Sequence, residues 1–396
     1  MAEHAHAPSV RAEAVIDLDA ITANIERLRA ATSSQVMVIV KADAYGHGMI
    51  PVARCARRNS VHWLGVALPE EALTLRAAGD EGRILAWLMT PGQPILVETL
   101  RQGIDLGIST AWALHEIVEA ARTESLVARV HLKIDTGLGR AGATPREWID
   151  LVDSARAASE AGLIEVAGVW SHLVSGEDPQ AAITGEQARA FQDALAVVRD
   201  ADLHPEWIHL ANSGAVLTGA TREWGVGDTL VRAGIATYGL TPGRILGEAD
   251  ELDLRPAMTL RARLAQVKEV PAGHGVSYGH HWVAERPTRL GLVPLGYADG
   301  LPRAARSPEV LIAGRRCVVL GRIAMDQCVV DLGDLQVDPG EEVLIFGSGD
   351  KGEPTAEDWA QWADTIGYEI VTRIGPRVPR RYLDTTAPDS ELSGDG

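Results

Sequence analysis

Cysteine is scarce: Cys55, Cys317 and Cys328 are the only three in 396 residues, at unrelated spacings and with no Cys-x-x-Cys pair. That excludes a disulfide framework and a thiolate metal or redox site, and a reducing compartment is the simplest setting. No run of about 18 apolar residues occurs, which removes a transmembrane helix. Met1 to Val10 mixes His, Ala and Glu without an apolar stretch, so no secretory leader is read and a cytoplasmic protein is expected. Basic residues are in the minority, 37 Lys and Arg against 54 Asp and Glu, for a net charge of −17. With no basic patch, neither nucleic acid nor an anionic membrane is expected as a partner. His115-Glu-Ile-Val-Glu119 lacks the second histidine of a zinc helix, and no metal is expected.

Short apolar runs recur instead: Val36–Val40, Trp63–Ala67, Ile84–Leu88, Ile104–Ile108, Ala128–Ile134, Val166–Trp170, Trp207–Leu210 and Ile235–Leu240. Helix signals lie between them. Asp19 is read as the cap of a helix with Ile21, Ile25 and Leu28 on one face, and Thr184-Gly-Glu-Gln187 as a capping box. Eight strands alternating with helices over about 240 residues predict an α/β fold, an N-terminal TIM-type (β/α)8 barrel. After residue 245, with Arg255-Pro256 as a hinge, alternating runs at 258–270, 290–295, 309–313, 327–332 and 342–346 predict a C-terminal mainly β-strand domain. One helix, capped by Thr355, is expected inside it. The division expected is a barrel over 11–247 and a strand domain over 248–384, with flexible tails at 1–10 and 385–396. Ala12–Asp17 is expected to pair with the strand domain.

Lys41 ends a buried strand and opens the stretch Lys-Ala-Asp-Ala-Tyr45-Gly-His-Gly48. A lysine in such a low-polarity place is depressed toward the neutral, nucleophilic amine, as a Schiff-base lysine must be. Gly137-Leu-Gly139-Arg-Ala-Gly142 matches a dinucleotide fingerprint, but the next helix begins only at Thr144-Pro145, so it is read as a decoy.

The stretch at 40–48 closely resembles the pyridoxal-phosphate lysine motif of bacterial alanine racemases. Similar segments occur in order along the chain: His131-Leu-Lys133 through Arg140, Trp170-Ser-His172, Ala211-Asn-Ser213, Arg232-Ala-Gly234-Ile235, Gly275-Val-Ser-Tyr278-Gly, Gly296-Tyr297-Ala-Asp-Gly and Gly321-Arg-Ile-Ala-Met325-Asp-Gln. The resemblance covers roughly residues 11 to 383.

The resemblance implies pyridoxal 5′-phosphate as cofactor, held through Lys41, and alanine as substrate, interconverted between its two enantiomers to supply D-alanine for peptidoglycan. By the same resemblance, Lys41 and Tyr278 are the catalytic bases on opposite faces. Tyr45, Ser213, Gly234 and Ile235 match the residues that hold the phosphate, with Asn212 beside them. Arg232 matches the arginine that faces the pyridine nitrogen, and His172 the histidine that links it to Tyr278. Arg140 is implied to contact cofactor and substrate, Met325 the substrate carboxylate through its amide, and Tyr297 to narrow the entrance. Lys133 is a possible N6-carboxylysine. A homodimer with shared sites is implied, Tyr278, Tyr297 and Met325 completing the partner's barrel. Two departures stand out: Pro376 replaces a tyrosine before Arg377-Val-Pro-Arg, implying a lost phosphate hydroxyl and looser cofactor binding, and Ala324 stands where cysteine is common. A serine or broad-specificity racemase is the alternative; a related decarboxylase or a non-catalytic pyridoxal-phosphate-binding barrel fits less well.

Overall fold

The computed structural model describes residues 10–385, and the expected tails lie outside them but for Val10 and Thr385. The chain divides into two compact units. It opens on a strand, β1 (Ala12–Asp17). Eight parallel strands come next: β2 (Gln35–Ile39), β3 (Trp63–Val66), β4 (Arg83–Ala86), β5 (Asp105–Ile108), β6 (Ala128–Lys133), β7 (Ile164–Trp170), β8 (Trp207–His209) and β9 (Leu230–Ala233). They form one sheet in the order β8-β7-β6-β5-β4-β3-β2-β9. Its two ends meet where Thr229 donates to Ile208 O at 2.9 Å and Arg232 donates to Ala211 O at 3.0 Å, so the sheet curls into the expected barrel. Strands covered on both faces read as near-continuous apolar runs, which is why β2, β3 and β5 were legible.

This barrel unit comprises Ile21–Ala44 and Met49–Leu254. The helix Pro145–Glu160 is capped as its sequence requires. Thr144 Oγ1 accepts from the Glu147 amide at 3.3 Å, the Glu147 carboxylate accepts from the Thr144 amide at 3.0 Å, and Pro145 opens the helix Pro145–Glu160. Three local expectations fail. Asp17 caps the first helix, Leu18–Ala30, by accepting from the Ala20 amide at 3.0 Å, while Asp19 accepts from Thr385 Oγ1 at 2.7 Å. Thr184 lies inside the helix Ala182–Asp200 and donates to Ser175 O and Asp178 O, because Gln187 is committed elsewhere. The eighth strand is Leu230–Ala233; the apolar run after it turns at Gly234 into a 3-10 helix, Ile235–Tyr238, so Arg232 lies within the strand.

The second unit holds, among the described residues, Val10–Ala20, Tyr45–Gly48 and Arg255–Thr385. Its remaining strands are β10 (Met258–Arg263), β11 (Gln266–Val270), β12 (Gly275–Val276), β13 (Trp282–Val283), β14 (Thr288–Val293), β15 (Glu309–Ile312), β16 (Arg315–Leu320), β17 (Cys328–Gly333), β18 (Glu342–Phe346) and β19 (Arg380–Leu383). Nine strands make a sheet ordered β11-β14-β17-β16-β15-β18-β10-β1-β19. Strand β1 pairs antiparallel with β10, Ala14 opposite Leu260, and parallel with β19, Val15 opposite Arg381. The pairing covers Ala12–Asp17, as expected, and this unit extends to Ala20. Thr355 caps the helix Ala356–Ala363 as expected, and its buried Trp359 donates to Ile345 O at 2.7 Å. Among the described residues no helix is long and apolar enough to cross a membrane, and no group of His, Cys, Asp and Glu could hold a metal ion.

Candidate active site

In a (β/α)8 barrel the strand C-terminal ends converge on one face, where side chains from different strands can meet. Lys41 follows β2, Lys133 ends β6, Trp170 ends β7, His172 follows it, His209 ends β8 and Arg232 lies in β9. The structure brings these together. Lys41 Nζ stands 5.8 Å from the Trp87 ring centroid, and Lys133 Nζ 4.2 Å from that of Trp170. Arg232 Cζ lies 5.1 Å over the same Trp170 ring.

The cations act on one another. Burial and then Arg140 lower the Lys41 pKa, opposed by Glu71. Burial, Arg232 and Arg140 bring Lys133 down to about 7, with Asp135 opposing. Burial and Arg232 push His172 down to about 2, so its imidazole is neutral. Buried Arg232 is lowered to about 10 and keeps its proton at neutral pH. Its guanidinium is pinned by bonds to Ser171 O at 2.7 Å, His209 O at 2.7 Å and Leu210 O at 3.1 Å, and it meets His209 Nδ1 at 3.2 Å and His172 Nδ1 at 3.3 Å. A guanidinium has no acceptor, so it donates to both imidazoles, and the His172 proton sits on Nε2.

Lys41 is followed by four non-glycine residues of positive φ, Ala42 (51°), Asp43 (53°), Ala44 (53°) and Tyr45 (54°). This left-handed turn is held where Ala44 donates to Val40 O at 2.9 Å, Ala42 to Glu71 Oε1 at 2.6 Å, and Met49 to Asp43 Oδ1 at 2.7 Å. At the end of β8, Asn212 Oδ1 caps the helix Ser213–Thr218 through the Ala215 amide at 3.1 Å, and Gly234 N donates to Ser213 Oγ at 2.8 Å. Ser213, Gly234 and the 3-10 turn at Ile235 thus form one cluster of hydroxyl and amide groups. The loop read as a dinucleotide decoy is held by its own chain: the Asp135 carboxylate accepts from the Gly137 and Gly139 amides at 2.9 and 3.0 Å. Arg140 is exposed on that loop.

In the other unit Tyr278 is 67% exposed and follows Ser277, whose φ is +60° and whose Oγ donates to Arg322 O at 2.6 Å. Tyr278 and Ala324 line one cavity. The segments carrying Tyr297 and Met325 are tied by Tyr297 N to Ala324 O at 3.0 Å and Ala298 N to Met325 O at 2.9 Å. A Cβ on Gly296 would come within 2.3 Å of Met325 O, so glycine is required there. Arg377 bridges Asp299 at 3.3 Å and Asp326 at 2.7 Å.

Several residues here escaped the sequence. Tyr368 stands with its ring centroid 6.2 Å from that of Tyr45, a second phenol beside the first. Trp87 and Trp170 face the lysines, and buried His131 and His209 sit behind Arg232. The spacing of His131 and Lys133, two apart on a strand and so on one face, was the available signal for the first of these.

Comparison with known proteins agrees with this geometry. The family pattern described as "Alanine racemase, N-terminal domain" matches residues 16–242, and "Alanine racemase, C-terminal domain" residues 257–382. An alanine racemase of Thermobifida fusca is 53% identical over 374 residues, spanning 94% of this chain and 98% of its own. One from Streptomyces coelicolor is 51% identical over 95% of this chain and 96% of its own. The solved alanine racemase of Streptomyces lavendulae superposes with a TM-score of 0.93 at 51% identity, covering 98% of this chain and all of that one. Two matched regions that together span both units, with relatives half identical along nearly their full length, place this chain in the alanine racemase family.

Proposed function

We propose that the protein interconverts L-alanine and D-alanine with pyridoxal 5′-phosphate as cofactor, acting in the cytoplasm as a homodimer and supplying D-alanine for peptidoglycan. The observation that carries this reading is the cationic cluster of Lys41, Lys133, Arg140 and Arg232 at one end of the barrel. A cluster in which Arg140 lowers the pKa of Lys41, and Arg232 and Arg140 that of Lys133, suits an anionic guest, and its donor set fits this cofactor: an amine for an aldehyde, a fixed guanidinium for a ring nitrogen, and a hydroxyl with amides for a phosphate. Alanine racemase from Bacillus anthracis, at a TM-score of 0.86 and 31% identity, has been solved with bound L-Ala-P, which supports the substrate class.

The cofactor, when bound, supplies an electron-withdrawing ring that stabilises negative charge at the substrate Cα. The chain does the rest. Lys41, its pKa lowered by burial and by Arg140, takes or returns the Cα proton on one face. Tyr278 from a second copy of this chain serves the other face, and its exposure is what such sharing needs. A phenol must be held as phenolate to act near neutrality, and the Nε2–H of neutral His172 is the donor for that oxygen. Arg232 keeps its proton and would leave the ring nitrogen unprotonated, which would favour racemisation over transamination. Ser213, Gly234, Ile235 and Tyr45 would hold the phosphate beside Asn212, and Tyr368, whose ring lies 6.2 Å from that of Tyr45, would add a second phenol beside Tyr45. Met325 would bind the substrate carboxylate through its amide, and Tyr297 would narrow the entrance. Lys133, at about 7, is readily neutral and can add CO2 to become a carbamate that pairs with Arg140.

The test is incubation of cofactor-loaded protein with L-alanine, or separately L-serine, in D2O, followed by enantiomer resolution. D-Alanine carrying deuterium at Cα supports the proposal. Neither inversion nor exchange would reject it, and faster turnover of serine would favour the broader racemase.

A further inference from the structure

Interiors of (β/α)8 barrels are filled by layers of branched apolar side chains. This one is crossed by polar groups. Asp105 on β5, His131 on β6 and His209 on β8 are fully buried, and Arg232 on β9 is 5% exposed. Asp105 Oδ2 meets His131 Nε2 at 3.2 Å, His131 Nδ1 meets His209 Nε2 at 2.9 Å, and His209 Nδ1 meets Arg232 Nη1 at 3.2 Å.

The protons in this string are fixed by one end. Arg232 can only donate, so His209 Nδ1 is bare and the His209 proton is on Nε2. That proton is given to His131 Nδ1, which is therefore bare as well. His131 then carries its proton on Nε2 and gives it to Asp105, whose carboxylate is backed by Arg129 at 3.2 Å and Arg83 at 3.8 Å. The rings are clamped in place. Trp170 stacks on His209 at 5.4 Å and 7°, Trp63 meets His131 edge-on at 5.5 Å, and a Cβ at Gly168 would lie 2.2 Å from His131 Nδ1. Burying so many polar groups where apolar packing is the norm costs stability, and such violations mark functional sites.

We propose that Asp105, His131 and His209 form a positioning relay that holds Arg232 in a single orientation by imposing one tautomer along the string. None of the three touches the reacting atoms; they act through Arg232. The functional part rests on the reading of Arg232 given above, whereas the tautomers stand independently of it.

The experiment is a long-range ¹H–¹⁵N correlation spectrum of the full-length holoenzyme labelled at histidine, with and without Asp105→Asn, alongside steady-state kinetics of both. In the wild-type protein His131 and His209 should each show a protonated Nε2 and a bare Nδ1. Asp105→Asn should mix the tautomers of both rings and lower kcat about tenfold, as loss of an orienting partner does, with KM changed by less than about twofold. A wild-type spectrum with the His209 proton on Nδ1 overturns the proposal even if the variant does not fold. Mixed tautomers with unchanged kcat would overturn its positioning role while leaving the racemase assignment untouched.

Discussion

Replacing Lys133 by methionine should raise the stability of the protein, and by an amount that depends on pH. The side chain is 6% exposed, with its Nζ 4.2 Å over Trp170. Burial, then Arg232 and Arg140, lower its pKa from 10.5 to about 7. Between those two values the unfolded chain binds a proton here that the folded chain does not, so folding stability contributed by this group increases with pH. Above 10.5 both states are neutral and the group is harmless. As pH falls through 7 the folded lysine must charge, and the full penalty is present below it. At about 1.4 kcal/mol per pH unit, the interval from 10.5 to 7 corresponds to a penalty on the order of 5 kcal/mol. Methionine keeps the length and apolar packing and removes the charge. The assay is urea unfolding of wild type and Lys133→Met at pH 6, 8 and 10 in carbonate-free buffer, which keeps the amine unmodified. The variant should be the more stable at pH 6, and its advantage should shrink steadily toward pH 10. A difference independent of pH would refute the argument.

Three further outcomes are expected. Gly168→Ala should destabilise the barrel by about 1–3 kcal/mol, because the new methyl overlaps the His131 ring and neither β6 nor β7 can retreat; thermal unfolding reads this directly. Tyr278→Phe should suppress exchange of the Cα proton from one alanine enantiomer far more than from the other, measured by deuterium uptake in D2O; equal small losses would remove Tyr278 as a base. Lys41→Ala should abolish the visible absorption band of the cofactor-loaded protein, and an unchanged spectrum would end its assignment as the anchoring amine.

The sequence made the barrel legible because its strands are covered on both faces, leaving apolar runs that helical stretches separate. It misplaced the eighth strand for the opposite reason. Leu230–Ala233 carries a buried arginine that breaks the apolar pattern, while the apolar Ile235–Leu240 turns away at Gly234. The caps at Thr144 and Thr355 are local devices and were readable. Gln187 was not, since its side chain is drawn off by long-range bonds to Thr136 Oγ1 at 3.1 Å and His172 O at 3.0 Å. Lys41, Lys133, His172 and Arg232 were found because ordered motifs carry them. Asp105 and His209 lie on separate strands whose approach is set by barrel closure, and no spacing along the chain encodes it. Tyr368 stayed hidden because it precedes by eight positions the place, Pro376, where a tyrosine is missing, and only the fold brings its ring to Tyr45.

The left-handed turn after Lys41 inverts an ordinary rule of protein engineering. Alanine outranks glycine in helices because it restricts the unfolded chain, yet from Ala42 to Tyr45 the main chain follows the mirror image of that helix, at roughly 1–2 kcal/mol for each L-residue. Here the achiral residue fits better than the chiral one, and a D-amino acid would fit better still. The segment that presents the reactive lysine is thus stored tension, retained by Glu71 and Asp43, and a library that ranks substitutions by ordinary helix propensity would score it backwards.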